Sequence, residues 1–299
     1  MNLNSIKDQL YYSTVMIESA QSSGTAFLLS KTIGELGRVY LVTNKHVIDG
    51  VIKGRFSMLK STTDNNEWKP ILGDTIQVNF EKKNFIGHPD EKIDVAVANV
   101  SPLLNALKEK GVEPFWMHIS PNLIPTEKDT EIFFTPAEEI YFVGYPNGLW
   151  DDINNLPIIR KGITATPYYI NFKDEKKFLI DASVFPGSSG SPVFIYYKGT
   201  FSDKFGKIYE GNKLYFIGII SKTYLHYSES INSQNINSQM IDLGEVFKAE
   251  TIEVILSLVC LMDENSLFDG SLIFNLDTTD EIELAFCVIC DCCCVKVEP

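Results

Sequence analysis

From about residue 11 the chain runs in short segments rich in Val, Ile, Phe and Tyr, each closed by Gly, Pro, Asn or Asp. The clearest early ones are 25–30, 39–43, 75–80 and 95–100. β-Branched and aromatic side chains suit a pleated, half-buried surface, so short strands repeated at this spacing predict a barrel or sandwich. The polar tract 61–69 reads as a hairpin loop inside this first group, which closes near Val100. Residues 101–111 carry a Ser cap, Pro in the first turn, helix formers and a final Gly, the signals of a helix joining two barrels. A second strand group follows at 139–144, 158–164, 177–183, 192–197 and 214–221. A Ser/Asn/Gln-rich stretch at 227–240 then precedes 243–262, which reads as helical.

Charge and cysteine usage narrow the function. Asp and Glu outnumber Lys and Arg 39 to 26, and a net charge of -13 disfavours the phosphate-neutralising surface that nucleic acid requires. The longest late apolar run, 254–262, is too short for a membrane span. Residues 1–10 do not have the form of a secretory signal. All six cysteines lie at Cys260 or later, so the main body has no internal disulfide to form, and a cytoplasmic location is expected.

The most specific segment is Asp181-Ala-Ser-Val-Phe-Pro-Gly-Ser-Ser-Gly-Ser-Pro-Val-Phe194. A serine hydroxyl is a weak nucleophile, so hydrolysis needs a neighbouring base and donors aimed at the developing oxyanion. Ser189 lies two residues after Gly187 and directly before Gly190, which spaces the amides of Gly187 and Ser189 as an oxyanion hole. Ser188 and Ser191 are assigned structural roles. Taken alone, the segment also suits a plain turn between strands. An α/β-hydrolase elbow is excluded, because Ser191 stands where that motif needs glycine and 192–197 favours a strand.

The base must titrate near working pH, which leaves His46, His88, His118 and His226. His46 stands out because it follows a β-branched strand at a polar turn. Asp94 opens an apolar strand and suits the carboxylate that fixes the imidazole tautomer, with Asp90 and Glu91 as alternatives in an exposed turn.

Thr43-Asn-Lys-His-Val-Ile48, Asp94-Val-Ala-Val97 and Pro186-Gly-Ser-Ser-Gly-Ser-Pro192, in that order, resemble the motifs of bacterial trypsin-like and HtrA-type serine peptidases. Tyr141-Phe-Val-Gly-Tyr-Pro-Asn-Gly148 is similar to the segment opening their second barrel, and the resemblance spans roughly 11–225. It implies an all-β, chymotrypsin-like fold of two six-stranded antiparallel β-barrels with a short helical or irregular C-terminal extension. The peptidase domain would occupy 1–250, with barrels at about 11–100 and 112–225 and a helix at 243–262. The Cys-rich extension would be 263–299, too short for a PDZ domain.

The resemblance further implies an endopeptidase that cleaves proteins or peptides through an acyl-enzyme, with His46 as base, Asp94 as orienting acid, Ser189 as nucleophile and no cofactor or metal. It places the base of the specificity pocket near Ser183 and its wall along Ser221, Lys222 and Thr223. With no carboxylate at Ser183, a small or apolar residue before the cut is expected. Two positions depart from the family. Ser191 replaces a usual glycine, and Ser188 stands where secreted members have an aspartate that pairs with a new amino terminus. Control is therefore expected from a regulatory partner, substrate access or loop ordering. A catalytically silent barrel protein that only binds is the alternative. Cys287-Val-Ile-Cys-Asp-Cys-Cys-Cys294 reads as inert thiols or a lipidation site, with a metal or iron-sulfur attachment element as the rival reading.

Overall fold

The computed structural model describes residues 6–20, 23–33, 36–64, 67–229 and 236–264, with 275–277 and 281–282. A one-and-a-half-turn helix, α1 (Ile6–Tyr11), leads into β1 (Thr14–Ser19), β2 (Ser23–Ile33) and β3 (Leu36–Thr43). The short helix α2 (Lys45–Ile48) separates these from β4 (Gly54–Asp64), β5 (Glu67–Phe80), β6 (Ile86–Gly87) and β7 (Ala96–Asn99). Helix α3 (Ser101–Glu109), β8 (Pro114–Phe115) and α4 (Glu127–Phe133) connect to the second half. That half contains β9 (Glu139–Gly144), β10 (Ile158–Thr164), β11 (Lys177–Asp181), β12 (Pro192–Ser202), β13 (Ile208–Glu229) and β14 (Ile236–Lys248), followed by α5 (Glu250–Glu264).

Every strand ladder is antiparallel. The second half closes as a six-stranded barrel in the order β10-β11-β14-β13-β12-β9. The first half is a strongly curled sheet ordered β5-β4-β1-β2-β3-β7-β6, with β8 paired to β4. Among the described residues no ladder joins β6 to β5, and β5 pairs on its outer side with residues 275–277. This is the chymotrypsin-like double-barrel architecture, all-β with a few helices.

Three apolar layers follow from the two-residue period of a strand. In β2, β3 and β7, Ala26, Leu28, Val39, Leu41, Ala96 and Ala98 face the interior of the first sheet. The alternate residues Phe27, Leu29, Tyr40, Val42 and Val97 face the other way, onto Phe194, Phe216, Ile219 and Phe247 of the second barrel. These strands are buried on both faces, which is why they read as nearly unbroken apolar runs. Helix α5 covers this shared layer with Ile252, Ile255, Leu256 and Val259, the one-face spacing of an amphipathic helix. The interior of the second barrel holds the third layer, including Phe142, Phe178, Val193, Ile217 and Val246. Fully burying a side chain of this kind contributes roughly 1.5–3 kcal/mol.

Several expectations are corrected. The tract 61–69 is mostly ladder, since Ser61, Thr62, Thr63 and Asp64 pair with Pro70, Lys69, Trp68 and Glu67. Residues 243–248 form the end of β14 rather than the start of a helix, so the second barrel runs to Lys248 and not to about 225. The misreading comes from Glu245, a 1% exposed carboxylate that looks like a solvent-facing helix position. It is held inside by Lys177 at 3.1 Å, Lys222 at 3.4 Å and the Tyr224 hydroxyl at 3.0 Å. Strand β13 is also far longer than 214–221. The Cys287–Cys294 cluster lies outside the described residues. Among those that are described, no helix is long and apolar enough to cross a membrane.

Candidate active site

His46 sits in the single turn of α2, directly after β3 delivers Thr43 and Asn44 into the cleft between the halves. Asp94 sits just before β7, next to β3 in the same sheet. Three hydrogen bonds fix their relation. The His46 amide donates to Asp94 Oδ1 at 3.1 Å, His46 Nδ1 lies 2.6 Å from Asp94 Oδ2, and Asn44 Nδ2 donates to the Asp94 carbonyl at 2.6 Å. With a carboxylate at Nδ1, that nitrogen carries the proton and Nε2 is left as an acceptor facing the cleft. Burial pushes the Asp94 carboxyl up, but hydrogen bonds and charge from His46, with a bond from Ser221, outweigh it, and the net displacement is downward.

The nucleophile turn follows β11 and precedes β12. Gly187 and Gly190 have φ of +85° and +89°, a region that favours glycine. Neither has room for a side chain: a Cβ at Gly187 would lie 2.4 Å from the Tyr145 carbonyl oxygen, and one at Gly190 1.8 Å from that of Thr25. Within the turn, the Ser188 amide donates to the Phe185 carbonyl and the Ser191 amide to the Ser188 carbonyl. Among the described residues, no hydrogen bond engages the amides of Gly187 or Ser189. Both donors are available to an oxyanion.

Ser189 Oγ donates to the carbonyl oxygen of Ser221 at 2.7 Å. Ser221 Oγ in turn donates to Asp94 Oδ2, also at 2.7 Å. One residue on β13 therefore touches both the nucleophile and the orienting acid, and the three sequence-selected groups converge around it. The hydroxyl of Ser221, a residue the resemblance sets along the specificity pocket, is engaged by Asp94. Lys222 is 60% exposed beside Glu245, Thr223 Oγ1 donates to the Leu243 carbonyl, and Ser183 is half-buried just beyond β11.

Sequence reasoning missed Thr25. It is wholly buried, its amide donates to the Ser189 carbonyl at 2.9 Å, and its Oγ1 donates to the Gly187 carbonyl at 2.9 Å. The same Oγ1 accepts from the Tyr145 amide at 3.1 Å and from Ser191 Oγ at 3.4 Å. The first sheet thus grips the nucleophile turn of the second barrel. Ser191, the departure from the family glycine, is fully buried here, and Gly144 opposite it leaves the space its hydroxyl fills.

The rival candidates lie elsewhere. His88 is buried with Nδ1 accepting from the Asp90 amide, and burial pushes its pKa down; burial does the same to His118, which lies beside Trp116. Asp90 caps its own turn by accepting from the Lys92 amide, and Glu91 is exposed. The His226 side chain lies outside the described residues. Among the described residues, no group of three or more His, Cys, Asp or Glu side chains is placed to hold a metal ion.

A family model described as the trypsin-like peptidase domain matches residues 24–201, more than half of the chain. The chain belongs to the trypsin-like peptidase family. As such it is a serine endopeptidase with protein substrates, and the match contains His46, Asp94 and Ser189. No curated protein matches this trypsin-like peptidase in sequence. Solved structures resembling it include an inactive serine-to-alanine mutant of Rv3671c from M. tuberculosis H37Rv, at 14% identity, 87% of this chain, 92% of that chain and a TM-score of 0.41. A scabies mite inactivated protease paralogue gives 12% identity over 83% of this chain and 95% of that one, with a TM-score of 0.41. A Glu endopeptidase in complex with MPD gives 16% identity over 83% and 90%, with a TM-score of 0.42.

Proposed function

We propose that this peptidase cleaves peptide bonds through an acyl-enzyme formed on Ser189, with His46 as general base and acid and Asp94 as its orienting carboxylate. The observation that carries this is the His46–Asp94 pair, with Nδ1 2.6 Å from Oδ2 and Asp94 also bonded by Ser221 Oγ, beside a nucleophile turn whose Gly187 and Ser189 amides are unengaged among the described residues. Substrate entry turns the Ser189 hydroxyl about χ1 from the Ser221 carbonyl toward His46 Nε2, exchanging one hydrogen bond for another. His46 takes the proton as Ser189 Oγ bonds to the scissile carbonyl carbon, and the oxyanion accepts the amides of Gly187 and Ser189. Asp94 stabilises the imidazolium, which then protonates the leaving amine as the C–N bond breaks. Water, deprotonated by His46, attacks the ester, and the proton returns to Ser189 as the acid product leaves.

A fluorophosphonate probe should label the wild type at Ser189, and Ser189→Ala should lose labelling and cut casein at least about 10⁵-fold more slowly. Equal labelling of the variant would overturn the assignment. The bond from Ser189 to the Ser221 carbonyl favours a second reading, a silent barrel that binds peptides without cleaving them. Absence of labelling in a folded wild type would select it. A cytoplasmic location fits a catalytic body whose cysteines all lie at Cys260 or beyond, and recovery of the native protein in an extracellular fraction would contradict it.

A further inference from the structure

Beside the His46–Asp94 pair opens a pocket of about 350 Å³ into which Lys92, Lys177 and Lys222 project together with Glu175 and Glu245. Its walls come from both halves of the molecule, since Lys92 lies in the turn before Asp94 and Lys222 on β13. The carboxylates already have partners: Lys177 lies 2.9 Å from Glu175 and 3.1 Å from the buried Glu245. The Asp94 charge is engaged by His46 and Ser221. Three ammoniums face two Glu carboxylates, so one positive charge is in excess. Lys222 approaches Glu245 only at 3.4 Å and is 60% exposed, while exposed Lys92 makes no ion pair among the described residues.

The position of the pocket says which part of a substrate meets it. The leaving amine must collect its proton from His46 Nε2, whereas this pocket is bounded by Asp94 and Ser221, on the Nδ1 side of the ring. It therefore faces the part of the substrate that remains on Ser189 as the acyl group. We propose that the pocket selects substrates with an Asp or Glu side chain at the second to fourth residue before the cut, its carboxylate held between Lys92 and Lys222. This rests on the acyl-enzyme reading above. It adds to the expected small or apolar residue at the cut itself, and it runs against the net charge of -13, which would draw cationic partners at long range.

The test digests a proteome-derived peptide library with the full chain and reads the cut sites by mass spectrometry, then compares matched peptides with Glu or Gln at the enriched position. The expected result is enrichment of Asp and Glu at one of the three positions and a kcat/KM ratio of about tenfold for Glu over Gln, the size of a partly desolvated charge contact. Lys92→Glu combined with Lys222→Glu should turn the preference toward Lys and Arg at the same position, a gain that misfolding does not produce. Cleavage without acidic enrichment, or a ratio unchanged in the double variant, overturns the pocket assignment while leaving the protease reading intact. Fluorophosphonate labelling run in parallel separates the two: no labelling and no cleavage refutes the acyl-enzyme and the pocket with it. Labelling without cleavage of any library peptide refutes the pocket alone.

Discussion

The two halves of the active site are built on different principles. On the side of the base, backbone and side chain act together: the His46 amide and ring both bind Asp94, and Asn44 secures the Asp94 backbone. On the side of the nucleophile the backbone is equally fixed, by Thr25, Gly187 and Gly190, yet the reacting hydroxyl points at the Ser221 carbonyl. The comparison teaches that the His46–Asp94 pair and the backbone of the nucleophile turn are fixed by several bonds each, whereas the Ser189 hydroxyl is held by one, to a carbonyl that is not part of the proposed triad.

The largest effect should come from breaking the base side. Asp94→Asn places an amide at Nδ1, favours the tautomer with its proton on Nε2, and should lower kcat about 10⁴-fold with the fold intact. Steady-state hydrolysis beside circular dichroism checks this; a loss under tenfold would show that the pair is not the operating base. Ser221→Ala removes a hydrogen bond to an ionised carboxylate, worth about 1.5–3 kcal/mol, and should slow fluorophosphonate labelling roughly tenfold to a hundredfold. If labelling speeds up instead, the main effect of Ser221 is to hold Ser189 away from His46.

Thr25→Val tests the nucleophile side. It keeps the volume but strands the Gly187 carbonyl and the Tyr145 amide, at a cost of about 1–3 kcal/mol in urea unfolding, and should reduce kcat more than KM. A change confined to stability would mean that the grip serves the fold alone.

The smallest effect is a control outside both halves. Asp129 on α4 accepts from Lys213 and Tyr215 of β13; burial raises its carboxyl, but these bonds and Thr126 draw it well below the usual carboxylate range. A depressed carboxyl stabilises the fold above its unfolded pKa, near 3.9, and the contribution fades as pH falls from there through the folded value. Asp129→Asn should therefore cost about 1 kcal/mol at pH 7 and less at pH 3, with labelling by fluorophosphonate unaltered. A deficit that grows in acid would reverse that sign.

What could be read from the chain depended on how local the cause was. The strands 25–30, 39–43 and 158–164, and the helix from Ser101, follow from neighbours a few residues apart, and the triad candidates were visible because each sits in a compact motif. Strand β14 was hidden, since Glu245 looks solvent-facing until Lys177 and Tyr224 are brought to it. Thr25 was hidden for a similar reason: its partner Gly187 is 162 residues away and nothing beside it in sequence announces the contact. The direction of the Ser189 hydroxyl is set by a carbonyl on another strand, so no serine motif contains it.

The apolar layer that β2, β3 and β7 share with the second barrel also governs how the molecule comes apart. Loosening either half would expose Phe27, Tyr40 and Phe216 to water at once, so neither is expected to melt while the other persists. Denaturation should run as one cooperative event, and the cleft should vanish with it rather than open by degrees.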